Sequence, residues 1–214
     1  MADPWVRDNV RKMFRKVRDN AGTGSSDQDP MLALTLYAEW AWAMAWAGKA
    51  VENRLWTPPK AFCGRQIAIH AGRKVDREAL ARIVEECGVR PAYGPVVGPE
   101  LGFAGAPERG QIVLGAVVAV GTLAGWVRED GSGYVGMGLR GPDGAVLAGA
   151  EVLRRARVSR WWNGPVGWIV TSRVALGVPV KCRGKQGLWR LDAETEATVR
   201  VQVGMEPRAQ DGGS

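Results

Sequence analysis

Apolar residues recur at helical spacing from the start of the chain. Val6, Val10, Met13, Phe14 and Val17 form one stripe, opened by Asp3 as N-cap and Pro4 as first-turn proline. This predicts an amphipathic helix over residues 1–20, with Arg7, Arg11, Lys12, Arg15 and Arg18 on its other side. The small, polar residues 21–30 read as a linker. Met31 to Tyr37 is a short apolar run expected to be a buried strand, and alanine-rich Glu39 to Gly48 a helix with a glycine stop. Ala50 to Arg54 reads as a brief strand and Trp56 to Lys60 as a proline turn. Gln66 to His70 reads as a strand with Ile67 and Ile69 inward and His70 on the other face. Asp76 caps a second helix that Gly88 closes, its apolar side formed by Ala79, Leu80, Ile83, Val84 and Cys87.

The second half is richer in glycine and less regular. Val89 to Gly110 reads as an irregular connection, Gln111 to Thr122 as a strong strand, and Val127 to Leu147 as a hairpin or loop insertion. Gly167 to Thr171, Arg173 to Leu176 and Gly187 to Leu191 are expected as separate short strands. Beyond Thr195, Val199, Val201 and Val203 alternate with Thr198, Arg200 and Gln202, which predicts a last edge strand before a disordered tail at 205–214. Many short strands with a few helices predict an α+β fold, mostly β: one mixed barrel domain over 31–204, with insertions at about 89–110 and 127–160 and helices at its mouth.

Composition narrows the class. With 214 residues, 46% of them hydrophobic and 24% charged, the chain has enough apolar material for a real core. No apolar run reaches the length of a membrane helix and the N-terminal segment is not shaped like a signal peptide, so a cytoplasmic protein with no membrane partner is expected. Three scattered cysteines and a single histidine build neither a disulfide framework nor a metal site, and nothing calls for a cofactor.

Charge is unevenly spread. Lys plus Arg number 29 and Asp plus Glu 22, giving +7 and a pI near 9.7. Between Val152 and Leu191 there is no acidic residue but nine cations: Arg154, Arg155, Arg157, Arg160, Arg173, Lys181, Arg183, Lys185 and Arg190. Without them, 20 cations face 22 carboxylates. Trp161, Trp162, Trp168 and Trp189 are interleaved with this segment. Cations for phosphates beside flat rings for bases is the composition of a single-strand nucleic-acid groove, although a solvated face over core tryptophans has the same composition.

Gly131, Gly133 and Gly136 match G-x-G-x-x-G, but a charged turn precedes them and a helix-incompatible segment follows, which excludes a dinucleotide fingerprint. There is no P-loop and no G-x-S-x-G elbow. The segment Gly48 to Arg54 is more informative: Lys49 follows the glycine stop, and Glu52 and Arg54 share one strand face. A carboxylate between two cations is a strong acceptor for an exocyclic amine such as N4 of cytosine, and Trp40 or Trp56 can supply a stacking surface. A salt-bridged strand end that braces the sheet uses the same residues.

Six ordered blocks then carry a resemblance: Leu34-Thr35-Leu36; Glu39-Trp40-Ala41; Gly48 to Trp56; Gly64 to Gly72; Gly164 to Trp168; and Cys182 to Arg190. Together, from about Leu32 to Leu191, they resemble the ASCH domain, named for activating signal cointegrator homology. The resemblance implies a PUA-like β-barrel with a cleft around G-x-K-x-x-E-x-R, where this chain has Lys49, Glu52 and Arg54. It implies an RNA or modified-nucleotide ligand contacted by Trp40, Lys49, Glu52, Arg54, Trp56, Arg65, His70, Arg183 and Lys185. Small bacterial relatives hydrolyse N4-acetylcytidine with a lysine and a threonine three residues later. Lys49 matches that lysine, but Glu52 stands at the threonine position, so an amidohydrolase or ribonuclease would use Lys49 and Glu52 as catalytic pair with His70 as proton shuttle. The third alternative is a protein-interaction module, with the N-terminal helix or the basic segment meeting an acidic partner.

Overall fold

Strand β1 (Leu32–Leu36) is followed by α1 (Ala38–Trp46), β2 (Val51–Arg54), β3 (Gln66–Ala71), α2 (Arg77–Cys87), β4 (Ala92–Tyr93), β5 (Gln111–Ile112), β6 (Ala116–Arg128), β7 (Gly133–Val135), α3 (Gly149–Arg157), β8 (Val166–Lys181), β9 (Leu188–Arg190) and α4 (Ala193–Gln202). This computed structural model describes residues 29–88, 90–93, 111–136 and 149–206. The helix expected at 1–20, nearly all of the linker, most of the 89–110 connection and all but the first residues of the tail lie outside the described residues. Within them the fold is a mixture of α and β, with more strand than helix.

The described residues fall into two compact units. One holds residues 51–65, 122–136 and 149–172, the other 29–50, 66–88, 90–93, 111–121 and 173–206. Strands β6 and β8 are long enough to contribute a stretch to each.

In the larger unit, β1 pairs parallel with β3, Leu34 opposite Ile69 and Thr35 opposite His70, and antiparallel with β9, Ala33 opposite Trp189. Both faces of β3 are buried, which is why Ile67 to Ala71 form a continuous buried run and do not alternate. The core here gathers Met31, Ala33, Ala68, Val117, Val120, Leu176, Trp189, Leu191 and Val199. Helix α2 begins where Asp76 accepts hydrogen bonds from the N–H groups of Glu78 and Ala79, at 3.1 and 3.0 Å, and ends at Gly88, whose φ of +64° suits a residue without Cβ.

In the smaller unit, β2 pairs antiparallel with β8 in the register Val51 to Ile169, Glu52 to Trp168, Asn53 to Gly167 and Arg54 to Val166, and β6 pairs antiparallel with β7. Trp162 covers Gly167 so closely that a Cβ there would overlap its ring. Helix α3 turns Val152 and Ala156 inward and its arginines outward.

Three expectations are corrected. The strands at Gly167–Thr171 and Arg173–Leu176 are one strand, β8; Ser172, with φ +47°, kinks it at the expected gap without ending it. The strand expected over 111–122 is broken after Ile112, passes Gly115 at φ +71°, and resumes as the much longer β6. The hairpin expected within the 127–160 insertion is present as β6 paired antiparallel with β7, and α3 lies in the same insertion. The last segment is helix α4, not an edge strand. Asp192 caps it by accepting from Thr195 N–H at 2.8 Å, and its buried face is Thr195, Glu196, Val199 and Arg200. Half of that face is an ion pair, Arg200 Nε to Glu196 Oε1 at 2.8 Å, so a hydrophobicity pattern does not reveal it.

Candidate nucleic-acid interface

In the smaller unit, Glu52 and Arg54 leave one face of β2, as alternate residues of a strand must, and their charged ends meet at 3.3 Å. The register sets Trp168 directly across from Glu52, so the two side chains share that face. Trp168 is fully buried. Its indole N–H donates to the carbonyl oxygen of Trp56 at 2.7 Å, and the two rings meet edge to face with centroids 4.6 Å apart. Trp56 itself is 42% exposed and follows the almost wholly exposed Leu55. Arg54, the 7% exposed Glu52, the buried Trp168 and the half-exposed Trp56 thus form a chain of successive neighbours. The Arg65 guanidinium is 5.7 Å from the Phe62 ring.

Asn53 points to the opposite face of β2. Its side-chain amide donates to the carbonyl oxygen of Trp161 at 2.8 Å, and its Oδ1 accepts from the N–H of Asn163 at 2.9 Å. One side chain therefore holds the turn that follows α3. Arg160 in that turn lies over the Trp161 ring at 5.3 Å. On α3, Glu151 accepts from both Arg154 and Arg155, at 2.7 and 2.6 Å, and those two hydrogen bonds hold its pKa down to about 2. Asp130 also has a lowered pKa, first through its hydrogen bonds from Ser132, with Arg128 and Arg157 adding to the effect.

The remaining expected residues belong to the larger unit. Lys49 is buried, 2% exposed, with Nζ 5.4 Å from the ring of half-buried Trp40. Arg173 donates to the carbonyl oxygen of Gly48 at 3.4 Å. His70 is 1% exposed. Its Nε2 lies 3.2 Å from the carbonyl oxygen of Cys182, which defines Nε2–H as the donor and leaves Nδ1 as a buried acceptor without a partner. Burial lowers its pKa, the Cys182 hydrogen bond opposes this, and Arg73 adds to the lowering. Gly184 covers the ring: a Cβ on it would overlap His70 Cε1 and stand 2.6 Å from Nδ1 and 2.9 Å from Thr35 Oγ1. Trp189 completes this cluster, edge-on to His70 at 5.7 Å, with its N–H donating to Thr35 Oγ1 at 3.0 Å. Lys185 sits 5.9 Å from the Trp189 ring, and both Lys185 and Arg183 are exposed on the same loop.

The arrangement brings Glu52, Arg54 and Trp56 together in the smaller unit. In the larger unit it pairs Trp40 with Lys49 and gathers His70 and Lys185 around Trp189. Sequence reasoning missed Asn53, whose place between Glu52 and Arg54 on the alternate face was a usable signal. It also missed Glu39, fully buried, which accepts from Asp76 N–H at 2.9 Å and from Tyr93 Oη at 2.5 Å. Burial, then the Glu39 contact, raises the pKa of Tyr93. Burial likewise pushes the thiols of Cys63 and Cys182 up to about 11, so neither is a nucleophile near neutral pH.

No family model matches the chain, and a comparison with curated proteins finds no match. Among the described residues, no helix is long and apolar enough to cross a membrane.

Proposed function

We propose that the chain is an RNA or modified-nucleotide binding module of the ASCH type, built on a PUA-like barrel, with a base seated at the Glu52, Arg54 and Trp56 patch. The observation that carries this reading is the half-exposed Trp56 ring, met edge to face by Trp168 beside the Glu52 carboxylate. An indole whose main chain is held by a hydrogen bond and whose ring makes an edge contact offers a surface to a base at reduced ordering cost. The carboxylate accepts from an amino group on the base edge, and an amine on cytosine fits where the keto oxygen of uracil is repelled. The ordered blocks resembling ASCH domains and the acid-free basic segment support the same ligand class. Lys49 enters through the resemblance.

Cytidine nucleotides and a cytidine-rich RNA, titrated at two salt concentrations against wild type, Glu52→Ala and Trp56→Ala, test the reading. Trp56→Ala is expected to weaken binding by about 1–3 kcal/mol at either salt concentration, the usual worth of one stacked base. Glu52→Ala is expected to erase discrimination between cytidine and uridine. Wild-type affinity in both variants sinks the assignment.

A further inference from the structure

Helix α3 and the turn behind it carry four arginines, Arg154, Arg155, Arg157 and Arg160; the one carboxylate on the helix is Glu151, and Arg157 also faces Asp130 of the β6–β7 turn. Arg154 and Arg155 are 63% and 61% exposed and share that one carboxylate, so between them a full positive charge stays uncompensated. The apolar side of the helix is already used, with Val152 and Ala156 buried. What remains outward is a cluster of guanidinium groups in which Arg154 and Arg155 outnumber the carboxylate they share.

Asn53 ties this element to the proposed base site. It is flanked on β2 by Glu52 and Arg54, and it grips Trp161 and Asn163 at the end of the arginine-bearing turn. β2 is an edge strand whose only described partner is β8. The Glu52 face and the arginine-bearing turn therefore lie on opposite sides of this one strand.

We infer that Arg154, Arg155, Arg157 and Arg160 form a phosphate track for a single-stranded nucleic acid whose base occupies the Glu52 face, so that the ligand is a strand and not a free nucleotide. The inference rests on the proposed base site. Arginine forks match phosphate oxygens in two-point contacts, and Arg160, laid over the Trp161 ring, presents its fork already oriented. Asn53 is the positioning residue that keeps track and base site in register.

The test is a salt titration of the full chain with a fluorescent twelve-residue oligocytidylate, read as the slope of log K against log salt. For single strands each phosphate contact contributes about 0.7 to that slope. Arg157→Gln/Arg160→Gln is expected to flatten it by about 1.4. Glu151→Gln, which removes no packing and frees Arg154 and Arg155, is expected to tighten binding and steepen the slope by about 0.7. Asn53→Ala is expected to weaken the oligonucleotide more than cytidine monophosphate. Unchanged slopes in both the arginine and Glu151 variants overturn the track; if Glu52→Ala still weakens binding, the base site stands without it. No binding of the oligocytidylate by the wild type overturns both. Binding of anionic phospholipid vesicles or polyglutamate through these arginines, with no slope change on the oligonucleotide, also overturns the track in favour of another polyanion.

Discussion

Trp168, buried with no exposure, donates its indole N–H to the main-chain oxygen of Trp56 across 2.7 Å and meets the solvent-accessible Trp56 ring edge to face. Trp168→Phe keeps an aromatic ring in the core but removes the donor. The expected cost is about 1–3 kcal/mol, from an unpaired buried carbonyl and a smaller ring. Urea unfolding should show a lower midpoint at unchanged m-value. Nucleotide affinity should fall as well, although Trp168 itself cannot stack on a base.

His70 gives the stability curve a defined sign. Its folded pKa lies below the ordinary 6.5, chiefly because it is buried. Between the folded and unfolded values the unfolded chain binds the extra proton, so stability is complete above about pH 6.5 and is lost as pH falls towards the folded value. His70→Gln is expected to flatten that part of the curve. Chemical denaturation between pH 5 and 7.5 measures it, and an equal slope in wild type and variant would refute the assignment.

Gly184 lies against His70 and Thr35 with no room for a methyl group. Gly184→Ala should cost about 1–3 kcal/mol by overpacking, a fall of roughly 2–12 °C in Tm for a chain of this size. Gly48, whose added Cβ meets nothing within 4 Å, is the control for position without crowding, though its φ of +74° adds backbone strain of its own.

Arg200 and Glu196 are each 3% exposed and bonded at 2.8 Å, and Arg200 also donates to the carbonyl oxygen of Asp29 at 3.0 Å. Arg200→Met strands a buried carboxylate and should cost about 3–5 kcal/mol. Glu196→Leu/Arg200→Met should recover most of that loss. A double variant no better than the single one would show that the Asp29 contact, and not the ion pair, dominates.

The first half of the chain was legible because local signals agree with tertiary ones. Asp76 and Gly88 mark both ends of α2, and β1 and β3 are short apolar runs bounded by polar or glycine residues. The second half misled where the tertiary environment overrides the pattern. In α4 the buried face contains Glu196 and Arg200, so the valines that do show on the sequence alternate by accident: Val199 is fully buried while Val201 is 64% exposed. In β8 the left-handed Ser172 looks like a break because strand propensity registers chain ends and kinks alike. Of the site, the Glu52 and Arg54 pairing followed from strand alternation. The fixing of Trp56 by Trp168 depends on a cross-strand register that no local pattern encodes. His70, expected as a ligand contact or proton shuttle, lies under Gly184 because both faces of β3 are covered.

The chain passes from one compact unit to the other at residues 50/51, 65/66, 121/122 and 172/173, and β6 and β8 each cross without ending. No single cut can therefore liberate either unit whole: a protease nick or a truncation at any of these points severs a strand or segment that both require. Each unit is assembled from separated stretches of one chain, so neither can be copied out as a single continuous segment.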